Sequence, residues 1–356
     1  MAHMSPRQCV QAACDRRQPD WVPKTAGFTP AVMERFRQET GSKHPHEFFG
    51  MEMRGAGFRP SREQRDFSAY YPEGLPEGAT ISEYGGAQVP AHFYHFTGLR
   101  FPMLHLETIE ELEAYPWPDF TPAYRHEHLE AAVRSIHDRG LFASGGVGHI
   151  YETAWQLTSM EKLLSDFLLN PDRAAFVLDT ITEHRCFVSR RVAEAGVDII
   201  HCGDDVAMQH KLMMHPDTWR QWLKPRFAKV VKAARDVNPH IHVFYHSDGN
   251  VEAIIEDLIE AGVTVLNPVQ PECMDPIELK KQYGDRLAFW GTIGTQTTMP
   301  FGTPDEVRAT VKRMCETVGA GGGLVLAPTH VLEPDVPWEN IVAFFQAAEE
   351  YGRVEG

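Results

Sequence analysis

The rhythm of apolar and polar positions changes near residue 121. Beyond it, short apolar runs rich in Val, Ile, Leu and Phe alternate with longer stretches whose apolar positions recur at helical spacing. The runs predict strands over 141–146, 197–202, 241–246, 263–267, 287–291 and 323–327. The stretches between them predict helices over 124–138, 151–168, 171–195, 216–235, 250–261, 275–282, 304–318 and 337–351. Some carry their own start signals: Pro171 follows Asn170, and Thr303-Pro304-Asp305-Glu306 is a capping box. Ahead of this region the chain predicts a helix over 5–20, a strand over 21–24 and a helix opened by Thr29-Pro30. Strand–helix alternation demands parallel strands with helices outside. An α/β fold closed as a (β/α)8 TIM barrel fits 356 residues better than an open doubly wound sheet, and no G-x-G-x-x-G or P-loop run favours the latter.

Residues 41–120 break the rhythm. They are dense in Gly, Pro and aromatics, hold strand-like pieces such as His92-Phe93-Tyr94-His95-Phe96, and close with Tyr115-Pro116-Trp117-Pro118. They predict an irregular, aromatic-rich N-terminal elaboration of loops and a hairpin, within one barrel domain over 1–356. Long irregular loops in a compact protein are often lids or binding loops.

Composition narrows the function. A net charge of −15 argues against nucleic-acid backbones and anionic membrane surfaces, both of which call for clustered Lys and Arg. There is no apolar run long enough for a spanning helix, and Met1-Ala2-His3-Met4 lacks the apolar core of a signal peptide. Six scattered cysteines without C-x-x-C pairs read as reduced thiols of a cytoplasmic protein.

In such a barrel, chemistry sits where strands end and loops begin. Polar groups recur there: Glu152 after 141–146, Asp205 after 197–202, His246 and Asp248 after 241–245, Gln270 after 263–267 and His330 after 323–327. Of the adjacent pair, Asp204 is the expected helix capper and Asp205 the site group. His246 and Asp248 are two apart, so an extended backbone sends both side chains from one face. That geometry suits a metal or proton chemistry; a capping Asp and a structural His in a βα turn is the alternative.

Several of these runs together resemble the uroporphyrinogen decarboxylase superfamily. They are His246 to Asn250, Leu266-Asn267-Pro268-Val269-Gln270-Pro271, Phe301-Gly302-Thr303-Pro304, and Gly321 to His330. Gly203-Asp204-Asp205 with Gln209, and Tyr151-Glu152 with Trp155, agree. The resemblance implies a (β/α)8 barrel with one of two chemistries: decarboxylation of a porphyrinogen, or zinc-dependent methyl transfer involving a corrinoid protein. The decarboxylases resemble one another in an N-terminal Arg-Gln-Ala-Gly-Arg that holds substrate carboxylates. Here Pro23-Lys24-Thr25-Ala26-Gly27-Phe28 stands in that place, without arginines, which disfavours a polycarboxylate substrate.

The methyltransferases resemble one another in His-x-Cys and a later Cys after Ala-Pro, which hold zinc. This chain has His246-Ser247-Asp248 and Ala327-Pro328-Thr329-His330 at those places. The resemblance thus implies zinc on His246, Asp248 and His330, with Glu152 as the best fourth ligand. Fewer thiolates leave the metal more electrophilic, better suited to an oxygen than to activating a thiolate. The expected reaction moves a methyl group from a small methylated substrate, such as a methoxylated aromatic, to a corrinoid (cobalamin), as in O-demethylation. Asp205 or Glu152 is the expected proton relay, and Gln209, Gln270, Trp155 and Tyr151 the expected substrate contacts. The expected partners are the methyl donor, a corrinoid protein and, in a homodimer, a second copy of the chain. A decarboxylase of a porphyrinogen-like or other carboxylic acid and a catalytically silent ligand-binding barrel are the alternatives. The ligand trio also matches the facial triad of non-haem Fe(II), kept as an alternative for the metal alone.

Overall fold

A computed structural model describes residues 3–89 and 98–353. Seven parallel strands run in chain order: β1 (Met53–Ala56), β2 (Phe142–His149), β3 (Ile199–Gly203), β4 (His242–His246), β5 (Val265–Asn267), β6 (Ala288–Trp290) and β7 (Leu324–Val325). The eighth stave is the segment 21–28, expected as a strand over 21–24. It meets the chain just beyond β7 by isolated bridges, Lys24 with Leu326 and Phe28 with Leu332. Pro23 has no N–H to give and so cannot sustain a ladder; its carbonyl accepts from Leu326 N at 2.8 Å. On the other side Glu52, which leads into β1, accepts Lys24 N–H at 3.0 Å and Trp21 Nε1–H at 2.9 Å. Together these contacts round the sheet into a (β/α)8 barrel.

Alternation along the strands divides the apolar residues into two cores. Met53, Phe142, Ile199, Phe244, Val265, Ala288, Trp290 and Val325 point inward, and Val10, Ala13 and Cys14 of the helix Pro6–Cys14 join them. That helix stops at Cys14 rather than reaching residue 20. The residues between, such as Ala143, Ile200, Val243, Leu266 and Phe289, pack outward against the helices.

Two expected helices are broken. The stretch 151–168 divides into Tyr151–Thr158 and Met160–Leu169 at Ser159, whose φ is +79° and whose hydroxyl caps the second helix by accepting Lys162 N–H at 3.1 Å. The stretch 216–235 divides at Leu223, two residues before Pro225, whose ring cannot sit inside a continuous helix. The Thr303–Glu306 capping box is present, with Thr303 N donating to Glu306 at 2.7 Å.

The segment 41–120 is not only elaboration, because β1 lies inside it and pairs with β2. The rest includes a small antiparallel sheet of Thr80–Ile81, Ala87–Val89 and Gly98–Arg100. The strand-like piece 92–96 lies outside the described residues. Aromatics of this segment pack on one another and on the helix Pro171–Glu194: Tyr70 on Tyr115 at 4.8 Å, Tyr84 on His184 at 5.8 Å, Phe58 on Phe187 at 6.2 Å. Among the described residues no helix is long and apolar enough to cross a membrane.

Candidate metal centre

Strand β4 carries His246 to the C-terminal end of the barrel, and the turn beyond it carries Asp248. Three contacts fix that turn. Asp248 N–H donates to Asp205 Oδ1 at 2.8 Å, Gly249 N–H to Gln270 Oε1 at 2.6 Å, and Asp204 N–H to His246 O at 2.9 Å. Two glycines make room. A Cβ on Gly203 would lie 2.1 Å from His246 O, and one on Gly249, where φ is +84°, 2.5 Å from Met208 O. The loop after β7 brings His330 over from the far side. One ligand atom each of His246, Asp248 and His330 lies within 4.8 Å of the others. His330 Nε2 is 3.7 Å from Asp248 Oδ2.

The tautomer of His246 is set by its neighbour. Asn267 Nδ2 donates to Trp290 O at 3.0 Å, which orients its amide so that Oδ1 accepts from His246 Nδ1 at 2.7 Å. The proton therefore sits on Nδ1 and the Nε2 lone pair faces the cluster. Asp248 Oδ1 is buried without a hydrogen-bond partner. Burial pushes the Asp248 carboxyl up to about 6, and the Asp205 and Glu152 charges add to the push against the pull of His246. Among the described residues, no ion pair of Asp205, Asp248 or Glu152 involves a lysine or arginine; their partners are His246, His330 and His149. A cluster of carboxylates and imidazoles with an orphaned oxygen and an aimed lone pair fits a divalent cation.

Glu152 sits beside this trio, not in it. Its carboxylate contacts His149 Nδ1 at 2.5 Å and accepts Gln156 Nε2–H at 3.0 Å. Burial opposes charge on both groups, yet each partner outweighs it: Glu152 is held below the usual carboxylate range and His149 above the usual imidazole range. The His149 ring lies 6.2 Å from that of His246. Strand β2 runs three residues beyond its expected end, which is why His149 belongs to the barrel wall rather than to a loop.

Asp204 and Asp205 divide their work. Asp204 is buried and accepts Glu152 N–H at 2.9 Å at the start of the helix Tyr151–Thr158, while Asp205 stands at the rim, 3.7 Å from His246 Nε2. Burial pushes Asp204 up to about 6, against the pull of His149. A raised carboxyl favours the folded state while protonated, so this contribution is present below pH 4 and is lost as pH rises through 6. Asp204→Asn keeps the acceptor and removes the titration. We expect it to gain about 2–3 kcal/mol on the wild type between pH 4 and 7 in chemical unfolding; parallel curves would count against the shift.

Two expected substrate contacts are corrected by their surroundings. Tyr151 is fully buried in the outer core, out of reach of a substrate. Gln270 is 4% exposed and its carbonyl is taken by Gly249 N–H, so it shapes the turn. Gln209 donates to Glu272 O at 3.0 Å, and Trp155 is half-buried with no partner for Nε1.

The profile of the uroporphyrinogen decarboxylase (URO-D) family matches residues 96–351, well over half of the chain. The chain belongs to that family. Within the URO-D family its similarity runs to the corrinoid methyltransferase branch. Methylcobamide:CoM methyltransferase MtaA of Methanosarcina barkeri is 32% identical over 207 residues, 58% of either chain. A uroporphyrinogen decarboxylase of Pseudoalteromonas translucida is 34% identical over only 74 residues, 21% of this chain and 20% of its own. The chain thus spans less than two thirds of the length of these relatives. A solved methyltransferase structure from Methanosarcina mazei superposes with a TM-score of 0.67 at 21% identity, covering 98% of this chain and 99% of its own, and shows the shared barrel. As a URO-D-family member the chain also departs from a polycarboxylate site: Lys24, the one cation of its 23–28 segment, is buried and paired with Glu52 at 3.7 Å and Glu349 at 3.8 Å.

Proposed function

We propose that the chain is a zinc-dependent methyltransferase that moves a methyl group from a small methyl ether, such as a methoxylated aromatic, to a corrinoid carried by a partner protein. The observation that carries the reading is the convergence of His246, Asp248 and His330 within 4.8 Å at the barrel mouth. The M. barkeri relative is named for methyl transfer from a methylcobamide to CoM. The donor set of this chain, two imidazoles and a carboxylate, favours an oxygen over a thiol as the group handled there.

When bound on those residues, zinc would supply Lewis acidity for the donor oxygen. The reduced corrinoid would supply the nucleophile that takes the methyl group. The chain does the rest. His246 is held in the productive tautomer by Asn267. Glu152, paired with the raised His149 imidazole, and Asp205 at the rim relay the proton to the departing oxygen. The aryl alcohol leaves with that proton.

The test is a panel of aryl methyl ethers incubated with the zinc-loaded protein and added cob(I)alamin. Expected is methylcobalamin formation with matching release of the demethylated phenol. No turnover on any member would favour a silent barrel.

A further inference from the structure

The inner wall of the barrel is bare on one side. The inward positions of β1 and β2 include Gly55, which pairs with Ser144, and Gly146, which pairs with His201 of β3. A Cβ on Gly146 would meet nothing within 4 Å, and one on Gly55 only Ser144 Oγ at 3.9 Å. Gly145 points the other way and would strike Val192 at 2.8 Å, so the open space is on the inside. Neither Gly55 nor Gly146 has a positive φ, so the backbone itself does not require glycine there.

His201, in register with Gly146 across β2 and β3, leaves the same inner face of the sheet. Its ring stacks on Phe244 at 4.2 Å and meets Trp290 edge-on at 5.4 Å. Its Nε2 is buried and has no hydrogen-bond partner, a state that native proteins rarely leave without a reason. Burial, with the charge of His246, pushes its pKa down to about 4, so the ring is neutral at pH 7. His201 pairs with Phe244, and Gly203 two residues on pairs with His246. The orphaned imidazole therefore lies one layer below the metal cluster, about 6.6 Å along the strand. That is the span of one six-membered ring and a substituent.

We propose that this glycine-lined slot is the donor pocket, and that His201 selects aryl methyl ethers carrying a neutral hydroxyl opposite the methoxy group. The ring lies against Phe244 and Trp290, the methoxy end faces His246, Asp248 and His330, and the far hydroxyl satisfies His201. This rests on the methyl-transfer reading for the identity of the donor, while the slot itself can be tested by binding alone.

The experiment is calorimetry on the full chain without corrinoid, using 4-methoxyphenol and methoxybenzene, which differ by that hydroxyl. The wild type should bind 4-methoxyphenol about tenfold more tightly. His201→Phe, which keeps the stack, should bring the ratio close to one. Gly146→Val, which fills the slot without straining the backbone, should weaken both ligands at least tenfold. A wild-type ratio near one, or a ratio that survives His201→Phe, overturns the selection by His201. If His201→Phe does not fold, Gly146→Val decides: undiminished binding of both ligands overturns the slot. The expected binding pattern without methyl transfer to cob(I)alamin would sink the activity and keep the slot. Methyl transfer without that pattern would do the reverse.

Discussion

His246→Ala is expected to lose bound zinc and methyl transfer together. The trio offers one nitrogen from each histidine and one oxygen from Asp248. On the proposed zinc site, removing one of three protein ligands would leave a pair too few to hold the ion firmly. The loss should exceed the 10–100-fold that disturbing an outer-shell partner costs in metal affinity. Asn267→Leu supplies that milder case. It leaves all three ligands in place but frees His246 Nδ1 from the 2.7 Å contact that fixes the tautomer. A graded series follows: about one zinc per wild-type chain, a shallower loss in Asn267→Leu that added zinc restores, and almost none in His246→Ala. Elemental analysis after dialysis reads it directly, with circular dichroism to confirm the fold. Full zinc content in His246→Ala would remove the metal assignment.

The largest effect on stability is expected from Asp166→Asn. Asp166 and Arg173 form an ion pair whose side chains are each 3% exposed. The guanidinium also donates to Leu106 O at 2.9 Å and Met103 O at 3.1 Å, so it ties the N-terminal segment to the helices Met160–Leu169 and Pro171–Glu194. Asparagine keeps the shape and removes the charge, which leaves a buried cation unpaired at a cost of about 3–5 kcal/mol. Glu278→Gln is the control, since Glu278 and Lys281 pair at 2.7 Å but are 55% and 64% exposed. Losing that pair should cost no more than about 0.5 kcal/mol. Urea unfolding of both variants makes the comparison, and equal shifts would refute the buried pair's importance.

The sequence made the regular half of the barrel legible because its strands are continuous apolar runs and its helices carry caps. Thr303 with Glu306, Pro171 after Asn170 and the run Ile241–His246 are local signals with local consequences. Strand β1 escaped because Met53-Arg54-Gly55-Ala56 has no apolar period: Arg54 turns out to the surface acid Glu47, and Gly55 turns in to open space. The first stave escaped in part because Pro23 replaces a ladder with isolated bridges. The break at Leu223 has a local cause in Pro225 and that at Ser159 a local serine cap, neither of which interrupts the apolar period. At the site, His246, Asp248 and His330 were legible from their positions at strand ends. His149, Asn267 and His201 were present in the same runs, but their roles depend on partners up to a strand away. Gln270 and Tyr151 were read as substrate contacts because position alone does not reveal burial.

The helix Pro6–Cys14, whose Val10, Ala13 and Cys14 stop the floor of the barrel, leaves the strand ends at the opposite side as its doorway. Traffic through a single doorway has to queue. A bulky protein that settles over the rim would trap whatever small molecule is already inside and bar the next from entering. On the proposed reaction the donor would then arrive first and its remnant depart last, an order set by the architecture before any chemistry begins.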